Sequence, residues 1–166
     1  MGPQGPQGAT GAQGPQGPAG PGHTLILKAA DESLNSTTTL QDDDHLTYAL
    51  QANEHVEFEA FILTTQAHNN ADIKYTFAVP TGATILWTAS KQLTTSATVT
   101  QEIPVTASGT TRVNDFAAGD LILTRVRGYV RNGSTAGSLT LRWAQNSSNG
   151  SNITVKQDSF LKIGKF

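Results

Sequence analysis

Glycine stands at every third position from residue 2 to residue 20, and this period constrains the fold more than any other feature of the chain. Only glycine fits at the crowded axis of a collagen triple helix, where three polyproline-II chains wind around one another. Proline occupies five of the seven positions that follow these glycines, and it fixes φ near the value this helix needs. The sequence therefore predicts a collagen-like stalk over residues 1–22. Its axis would consist of Gly2, Gly5, Gly8, Gly11, Gly14, Gly17 and Gly20.

A collagen-like stalk requires three chains, so the tract predicts a homotrimer. At roughly 3 Å per residue, the stalk would be a rod on the order of 65 Å long. The third position of each triplet never carries proline, which argues against hydroxyproline and against an animal secretory collagen. A flexible Pro/Gly-rich linker is the alternative, but the strict phase favours the triple helix. Because so short a stalk is marginal by itself, we expect the rest of the chain to hold three copies in register.

Composition excludes several classes of partner and chemistry. The net charge of −2 gives no electrostatic reason to bind nucleic acid or an anionic membrane. The chain has no cysteine, which excludes disulfides, cysteine-based metal sites and thiol catalysis. No apolar run approaches the roughly 20 residues that span a bilayer. We therefore expect neither a nucleic-acid partner nor membrane insertion.

Apolar residues alternate with polar ones along most of the chain after the tract. Residues 55–64 place Val56, Phe58, Ala60 and Ile62 on one face, and residues 121–130 and 138–143 show a similar alternation. Gly, Asn and Pro separate these runs. Such closely spaced strands predict an all-β fold: a trimeric, jelly-roll-like β-sandwich head preceded by the collagen-like triple-helix stalk. We place the head at residues 37–166 and a connector at residues 23–36.

The acidic run at residues 42–44 is a candidate cation site. Hard cations such as Ca²⁺ bind several oxygen ligands, which Asp42, Asp43 and Asp44 could supply in part. The run lacks the glycine and the distal glutamate of a helix–loop–helix calcium site. The alternative is a solvated turn in which an Asp side chain caps backbone N–H groups, and this alternative is favoured, so no metal and no cofactor are expected.

Two sets of side chains are candidates for contacts with other molecules. The candidates for surface binding are Arg125, Arg127, Arg131 and Trp87. Arg125 and Arg127 share a strand face and could meet an anionic glycan, a carboxylate of a partner subunit, or acidic residues across a trimer axis. The candidates for trimer contacts, large apolar residues that alternation leaves partly outside the domain core, are Phe61, Phe160, Leu161 and Phe166.

Motifs for catalysis are missing from the sequence. The glycine-rich tract neither follows a strand nor opens a helix, so it does not predict a nucleotide-binding loop. The sequence has no His-Glu-x-x-His and no Gly-x-Ser-x-Gly pattern. A glycan-cleaving fibre would need paired carboxylates in a groove, and the alternating Glu57 and Glu59 or the adjacent Asp42–Asp44 do not predict such a pair. We expect a protein that is not an enzyme.

Two stretches of the sequence resemble C-terminal domains of tailed-bacteriophage virion proteins. They are TTTLQDDDHLTYAL at Thr37–Leu50 and ADIKYTFAVPTGATILW at Ala71–Trp87. In phages of actinobacteria such domains often follow collagen-like Gly-Pro-Gln repeats and belong to minor tail or fibre proteins. The resemblance spans most of residues 34–166 and implies a structural role in a virion, without supplying site residues.

The resemblance leaves several functions open. The first is a tail fibre whose β head adsorbs to a host-surface glycan or protein, and the second is a capsid decoration or head fibre bound to the shell. A bacterial surface collagen-like adhesin is a third, from another class. We expect the partners to be other copies of the chain, other tail or capsid proteins and the host surface. We expect a virion location after synthesis in the host cytoplasm.

Overall fold

The structure is a computed structural model that describes residues 1–5, 22–93, 99–101, 104–114 and 116–166. The predicted stalk lies mostly outside the described residues, together with Gly8, Gly11, Gly14, Gly17 and Gly20 of its axis. The described part of the chain forms β-strands and no helix, which confirms the all-β expectation. It therefore also contains no helix with the length and apolar character that crossing a membrane requires.

Twelve strands make up the described fold, more than the sequence pattern indicated. In chain order they are β1 His23–Leu27, β2 Glu32–Leu34, β3 Gln41–Leu50, β4 His55–Gln66, β5 Ile73–Ala78, β6 Thr84–Leu93, β7 Val99–Gln101, β8 Arg112–Asn114, β9 Leu121–Arg131, β10 Gly137–Gln145, β11 Ile153–Val155 and β12 Phe160–Lys165.

The strands form two antiparallel sheets. The larger sheet has the order β1-β12-β4-β9-β6-β7, and β11 and β2 extend it beside the far end of β4. The smaller sheet has the order β3-β10-β5-β8. From β3 to β6, successive strands alternate between the two sheets, so each connection crosses from one layer to the other.

Aromatic side chains of both sheets meet in the core, so the two layers form a β-sandwich. The ring centroids of Phe58 on β4 and Phe77 on β5 are 5.0 Å apart. Trp87 on β6 lies 5.6 Å from Phe77 and 6.0 Å from Tyr75. All four side chains are buried. Since full burial of a phenylalanine is worth about 1.5–3 kcal/mol, this cluster is a main source of stability.

Strand β4 shows the predicted alternation. Val56, Phe58, Ala60 and Ile62 are all buried in the core, and the residues between them lie on the opposite, outer side of the larger sheet. Strand β9 pairs with β4 from His55 to residue 65, and β12 and β11 share its other edge. Because side chains alternate with a period of two, a slip of one residue would expose this whole set.

Residues 23–36 do not form a separate connector. Strand β1 pairs with β12 from His23 opposite Gly164 to Leu27 opposite Phe160. Strand β2 pairs with β11, so both strands belong to the larger sheet. The β-sandwich therefore begins at the first residue after the Gly-X-Y tract.

A buried asparagine holds the turn between β9 and β10. Nδ2 of Asn132 donates hydrogen bonds to the carbonyl oxygens of Gln51 at 2.7 Å and Thr135 at 2.9 Å. The backbone N–H of Asn132 donates to the carbonyl oxygen of Glu54 at 3.0 Å. These bonds join the β9–β10 turn to the turn between β3 and β4.

Gly128 lies in β9 at a close approach of the neighbouring strands. Its register partners are Phe58 and Trp87. A Cβ atom at this position would lie 2.5 Å from the carbonyl oxygen of Leu86 and 2.7 Å from both the Phe58 ring and the Trp87 Cβ. The missing side chain therefore makes room for the aromatic core.

Candidate functional site

The outer face of the larger sheet carries most of the predicted site residues. Three rows of side chains cross β1, β12, β4, β9 and β6 on this face. The first row consists of Leu27, Phe160, Phe61, Arg125 and Ser90. The second row consists of Leu25, Lys162, Glu59, Arg127 and Thr88. The third row consists of His23, Gly164, Glu57, Tyr129 and Leu86.

The first row is apolar from the sheet edge to the middle of the sheet. Phe61 and Phe160 face each other across β4 and β12, with ring centroids 4.7 Å apart and ring planes inclined by 20°. The guanidinium of Arg125 lies 5.0 Å from the Phe61 ring centroid, within the range of a cation–π contact. The structure thus brings together two of the predicted trimer contacts and one of the predicted surface arginines.

The second row contains an ionic cluster around Glu59. Oε1 of Glu59 accepts hydrogen bonds from Nε of Arg125 at 2.6 Å and from Nε of Arg127 at 3.0 Å. Burial raises the pKa of Glu59, but the hydrogen bonds and charges of the two arginines outweigh it and hold the pKa below 4.5. Glu59 is therefore ionised at neutral pH, whereas a general acid needs a raised pKa.

An open groove of about 320 Å³ lies between the second and third rows. Gly164 forms part of its floor, since a Cβ atom there would lie 2.8 Å from Oε1 of Glu57. Nε2 of His23 is 3.7 Å from the same oxygen, and both side chains are at least half exposed. Lys162 and Arg127 also line the groove. Open and of mixed charge, this groove suits contact with another protein surface better than enclosure of a small ligand.

The other two predicted trimer contacts lie in different environments. Phe166 is exposed beyond the end of β12, with its ring 6.2 Å from that of His55. Leu161 is fully buried opposite Ala60. Alternation along β12 turns Leu161 into the core while Phe160 points outward, which corrects the expectation that Leu161 contacts another subunit.

Arg131 and Trp87, the other two candidates for surface binding, also lie in different environments. Arg131 is exposed and its guanidinium lies 5.5 Å from the ring centroid of Tyr129. Trp87 is only 1% exposed, so its indole belongs to the core and not to a binding surface. The reason is its register with Gly128, which leaves space for the indole between the sheets.

The acidic run lies in strand β3 and not in a turn. Oδ1 of Asp42 is 2.7 Å from Nε of Arg142 on the neighbouring strand β10. Asp43 is buried, and its Oδ1 accepts hydrogen bonds from the backbone N–H groups of His45 at 3.0 Å and Leu46 at 2.8 Å. The capping role that the sequence analysis favoured for an Asp side chain is therefore present, although the residue is not solvated.

The cation beside Asp43 is a lysine ammonium. Nζ of Lys28 lies 2.8 Å from Oδ2 of Asp43 and 2.6 Å from Oε2 of Glu32. Burial raises the pKa of Glu32 above 4.5 even though the bonds from Lys28 and from the Asp44 backbone lower it. Potential ligand atoms of Glu32, Asp43 and His45 lie within 4.8 Å of one another. A metal ion there would have to displace the Lys28 ammonium, so the cluster is better explained as a buried ion pair.

Sequence reasoning missed three residues beside the tract. Leu25 and Leu27 project from the outer face at the sheet edge and are 56% and 57% exposed. Their alternation with Ile26, which packs against the core, was a usable signal. Lys28 is 1% exposed, and nothing in the local sequence distinguishes it from a surface lysine.

Comparison with known proteins gives little similarity. No family model matches the sequence, and no curated protein matches it. A chain from the solved "Structure of infectious bursal disease virus Gt strain" aligns with a TM-score of 0.23 and 10% identity, over 87% of this chain and 37% of that chain. The chain thus covers less than two thirds of that protein's length. A TM-score of this size carries no argument, so function has to be inferred from the residues of this chain.

Proposed function

We propose that the chain is a non-enzymatic structural protein of a phage virion: a homotrimeric fibre whose collagen-like stalk displays the β-sandwich for adsorption to the host surface. The junction between stalk and sandwich carries this proposal. The Gly-X-Y period runs to residue 22, and β1 begins at His23. A stalk of three chains would therefore place the three copies of β1 next to one another, where the triple helix ends.

Exposed apolar residues at this junction support a trimeric head. Leu25 and Leu27 are more than half exposed, and the stacked pair of Phe61 and Phe160 continues the apolar surface into the sheet. Contiguous apolar patches on a soluble protein usually mark a contact with another molecule. A short stalk without hydroxyproline needs such a contact to keep three chains in register.

The strand order supports a jelly roll as the form of the sandwich. A jelly roll divides eight successive strands between two sheets through two Greek keys. Strands β3 to β10 divide into the orders β3-β10-β5-β8 and β4-β9-β6-β7. The first of these strands thus pairs with the eighth, the second with the seventh and the fourth with the fifth, as jelly-roll connectivity requires. Jelly rolls are common in capsid and lectin domains, which fits a virion protein.

The virion location draws its support from the sequence. The stretches Thr37–Leu50 and Ala71–Trp87 resemble tailed-bacteriophage virion proteins and supply strands β3, β5 and the first part of β6. The lack of cysteine and of proline at the third triplet position fits a protein assembled in a bacterial cytoplasm. The ionised, arginine-bound Glu59 supports a structural role for the charged residues of the outer face.

An adsorption experiment tests this function. The purified full chain, carrying a fluorescent label, is mixed with host cells and, separately, with bare capsids of the phage that carries the gene. Saturable binding to cells that intact phage competes away supports the fibre. Binding to bare capsids without binding to cells would instead identify a capsid decoration or head fibre.

Two further outcomes would overturn the proposal. Cleavage of host surface glycans by the purified protein, detected as released oligosaccharide, would identify an enzyme. Sedimentation equilibrium tests the assembly: the expected mass is three times the chain mass of 17.5 kDa. A monomer at micromolar concentration would contradict the homotrimer.

A further inference from the structure

We infer that three heads meet through the β1 edge of the larger sheet, where Leu25 and Leu27 of each copy pack against the other two copies of this chain. This inference rests on the proposed homotrimer and assigns its contact surface. Leu25 and Leu27 are 56% and 57% exposed, whereas Ile26 between them packs against the core of its own domain. Strand β1 thus carries apolar side chains on both faces, and within one chain only the inner face is covered.

The position of β1 indicates which molecule covers its outer face. Three Gly-X-Y tracts can wind together only around a common axis, and the tract ends immediately before His23. In a trimer, β1 is therefore the part of each head that lies nearest to the axis. Leu25 and Leu27, two and four residues after His23, would be the first large apolar side chains that the three copies share.

The apolar surface continues from β1 into the sheet. Leu27 lies opposite Phe160, and Phe160 stacks on Phe61 at 4.7 Å. Neighbouring copies in a ring of three contact each other through two different patches. Phe160 and Phe61 supply the second patch, since this stacked pair can receive the leucines of the adjacent copy.

The charged residues of the second row are suited to the polar rim of this interface between copies. Leu25 lies opposite Lys162, which lies opposite Glu59, and Glu59 lies opposite Arg127. The signs alternate along this row, and protein–protein interfaces generally have an apolar centre and a polar rim. Salt bridges between these residues of neighbouring copies would fix the orientation of one head relative to the next.

The unpaired edge of β1 is a further reason to expect that another copy of the chain packs against this strand. Strand β1 ends the order of the larger sheet and pairs with β12 alone among the described strands. An uncovered edge with exposed leucines invites pairing with other chains. A closed ring of three heads would remove this hazard by placing the three edges around the axis.

A charge substitution in the full chain tests the surface. Leu25→Glu is expected to convert the trimer to monomers in sedimentation equilibrium, because three carboxylates would meet at the axis. We expect the collagen-like stalk to melt in a separate transition at low temperature in circular dichroism, and this transition should disappear together with the trimer. Val113→Glu is the matched control, since Val113 is 39% exposed on β8 at the edge of the smaller sheet, and it should remain trimeric.

The outcomes separate this inference from the proposed homotrimer. A trimeric wild type together with a trimeric Leu25→Glu variant would overturn the assigned surface and leave the homotrimer intact. A monomeric wild-type chain would overturn both. Dissociation by Val113→Glu as well would also contradict the assigned surface, because the effect would then not be specific to β1.

Cross-linking gives a second measurement that does not depend on dissociation. The chain contains no cysteine, so a single introduced thiol is the only one present. Leu25→Cys with a short thiol-reactive cross-linker should give covalent dimers on a denaturing gel, whereas Val113→Cys should not. Failure of Leu25→Cys to cross-link within an intact trimer would place β1 away from the axis and overturn the inference. With the same variant in assembled particles, cross-linking to another virion protein instead would overturn the inference, because that protein would then cover β1.

Discussion

Lys28 and Asp43 form an ion pair with 2.8 Å between Nζ and Oδ2, and neither side chain has any exposed surface. Buried charges are tolerated where a partner and further hydrogen bonds compensate for the lost water. Here Glu32 supplies a second acceptor for Lys28, and backbone N–H groups bind the other oxygen of Asp43. The pair joins the segment after β1 to strand β3, and thereby links the larger sheet to the smaller one.

Lys28→Met should strongly destabilise the head. Removing one partner of a buried ion pair leaves an uncompensated charge, which typically costs about 3–5 kcal/mol. Urea unfolding followed by circular dichroism measures this loss. Lys156→Met is the control, because the pair of Lys156 and Asp31 is partly exposed and its loss should cost far less stability. Equal losses in the two variants would contradict the role of burial.

Glu59→Gln should cost stability at neutral pH but not in acid. The pKa of Glu59 is below 4.5 in the folded protein, so its contribution is fully present above 4.5 and is lost as the pH falls through the folded value. Because Glu59 and its arginines are partly exposed, the loss at pH 7 should be about 0.5–1 kcal/mol.

Unfolding free energies at pH 7 and in acid measure this difference between wild type and Glu59→Gln. Asp44→Asn is the control, since Asp44 is exposed and lies away from the outer face of the larger sheet. A difference between wild type and Glu59→Gln that stays constant with pH would show that the arginine bonds do not depend on the carboxylate charge.

Gly128→Ala should destabilise the core by about 1–3 kcal/mol, the usual cost of adding a methyl group to a packed site. The added Cβ would approach the carbonyl oxygen of Leu86 to 2.5 Å, and backbone cannot move aside as a flexible side chain can. Gly150→Ala meets no atom within 4 Å and should change stability by less than about 0.5 kcal/mol. Thermal melting of the two variants compares them, and equal melting temperatures would contradict the close approach.

Gly11→Val should weaken the stalk and leave the head trimeric. The prediction rests on the triplet period, since a side chain at the axis disrupts a collagen helix. Circular dichroism should show a lower or missing low-temperature transition and an unchanged high-temperature one. Ala12→Pro should have the opposite effect, because proline at the position after glycine fixes φ for this helix. A head that dissociates in Gly11→Val would mean that the stalk, and not the head, holds the trimer.

Strands with one buried face were predictable from the sequence. The alternation from Val56 to Ile62 predicted the inner face of β4, and these residues are buried. The alternation over residues 138–143 predicted a buried face of β10, and Leu139, Leu141 and Trp143 are all in the core. In these strands the buried residues follow the two-residue period of the backbone, so the local sequence is sufficient to predict which face is buried.

Contacts between distant segments were not predictable. The run Asp42–Asp44 was expected in a solvated turn, where an Asp side chain caps backbone N–H groups, yet Lys28 and Arg142 stabilise it within β3. Glu59 meets Arg125 and Arg127 only through the register of β4 with β9. Such pairs depend on which strands become neighbours, and no local pattern contains that information.

The hydrogen bonds of Asn132 affect the choice of expression host for this protein. Asn132-Gly133-Ser134 is an acceptor sequence for N-linked glycans, and Asn132 is only 4% exposed. A eukaryotic secretory host would attach an oligosaccharide to Nδ2 of the nascent chain, and that atom must donate to two carbonyl oxygens in the folded turn. The glycosylated chain could then not close the turn between β9 and β10. A bacterial host avoids the problem, and a secreted preparation would need Ser134→Ala, which removes the acceptor sequence while keeping Asn132.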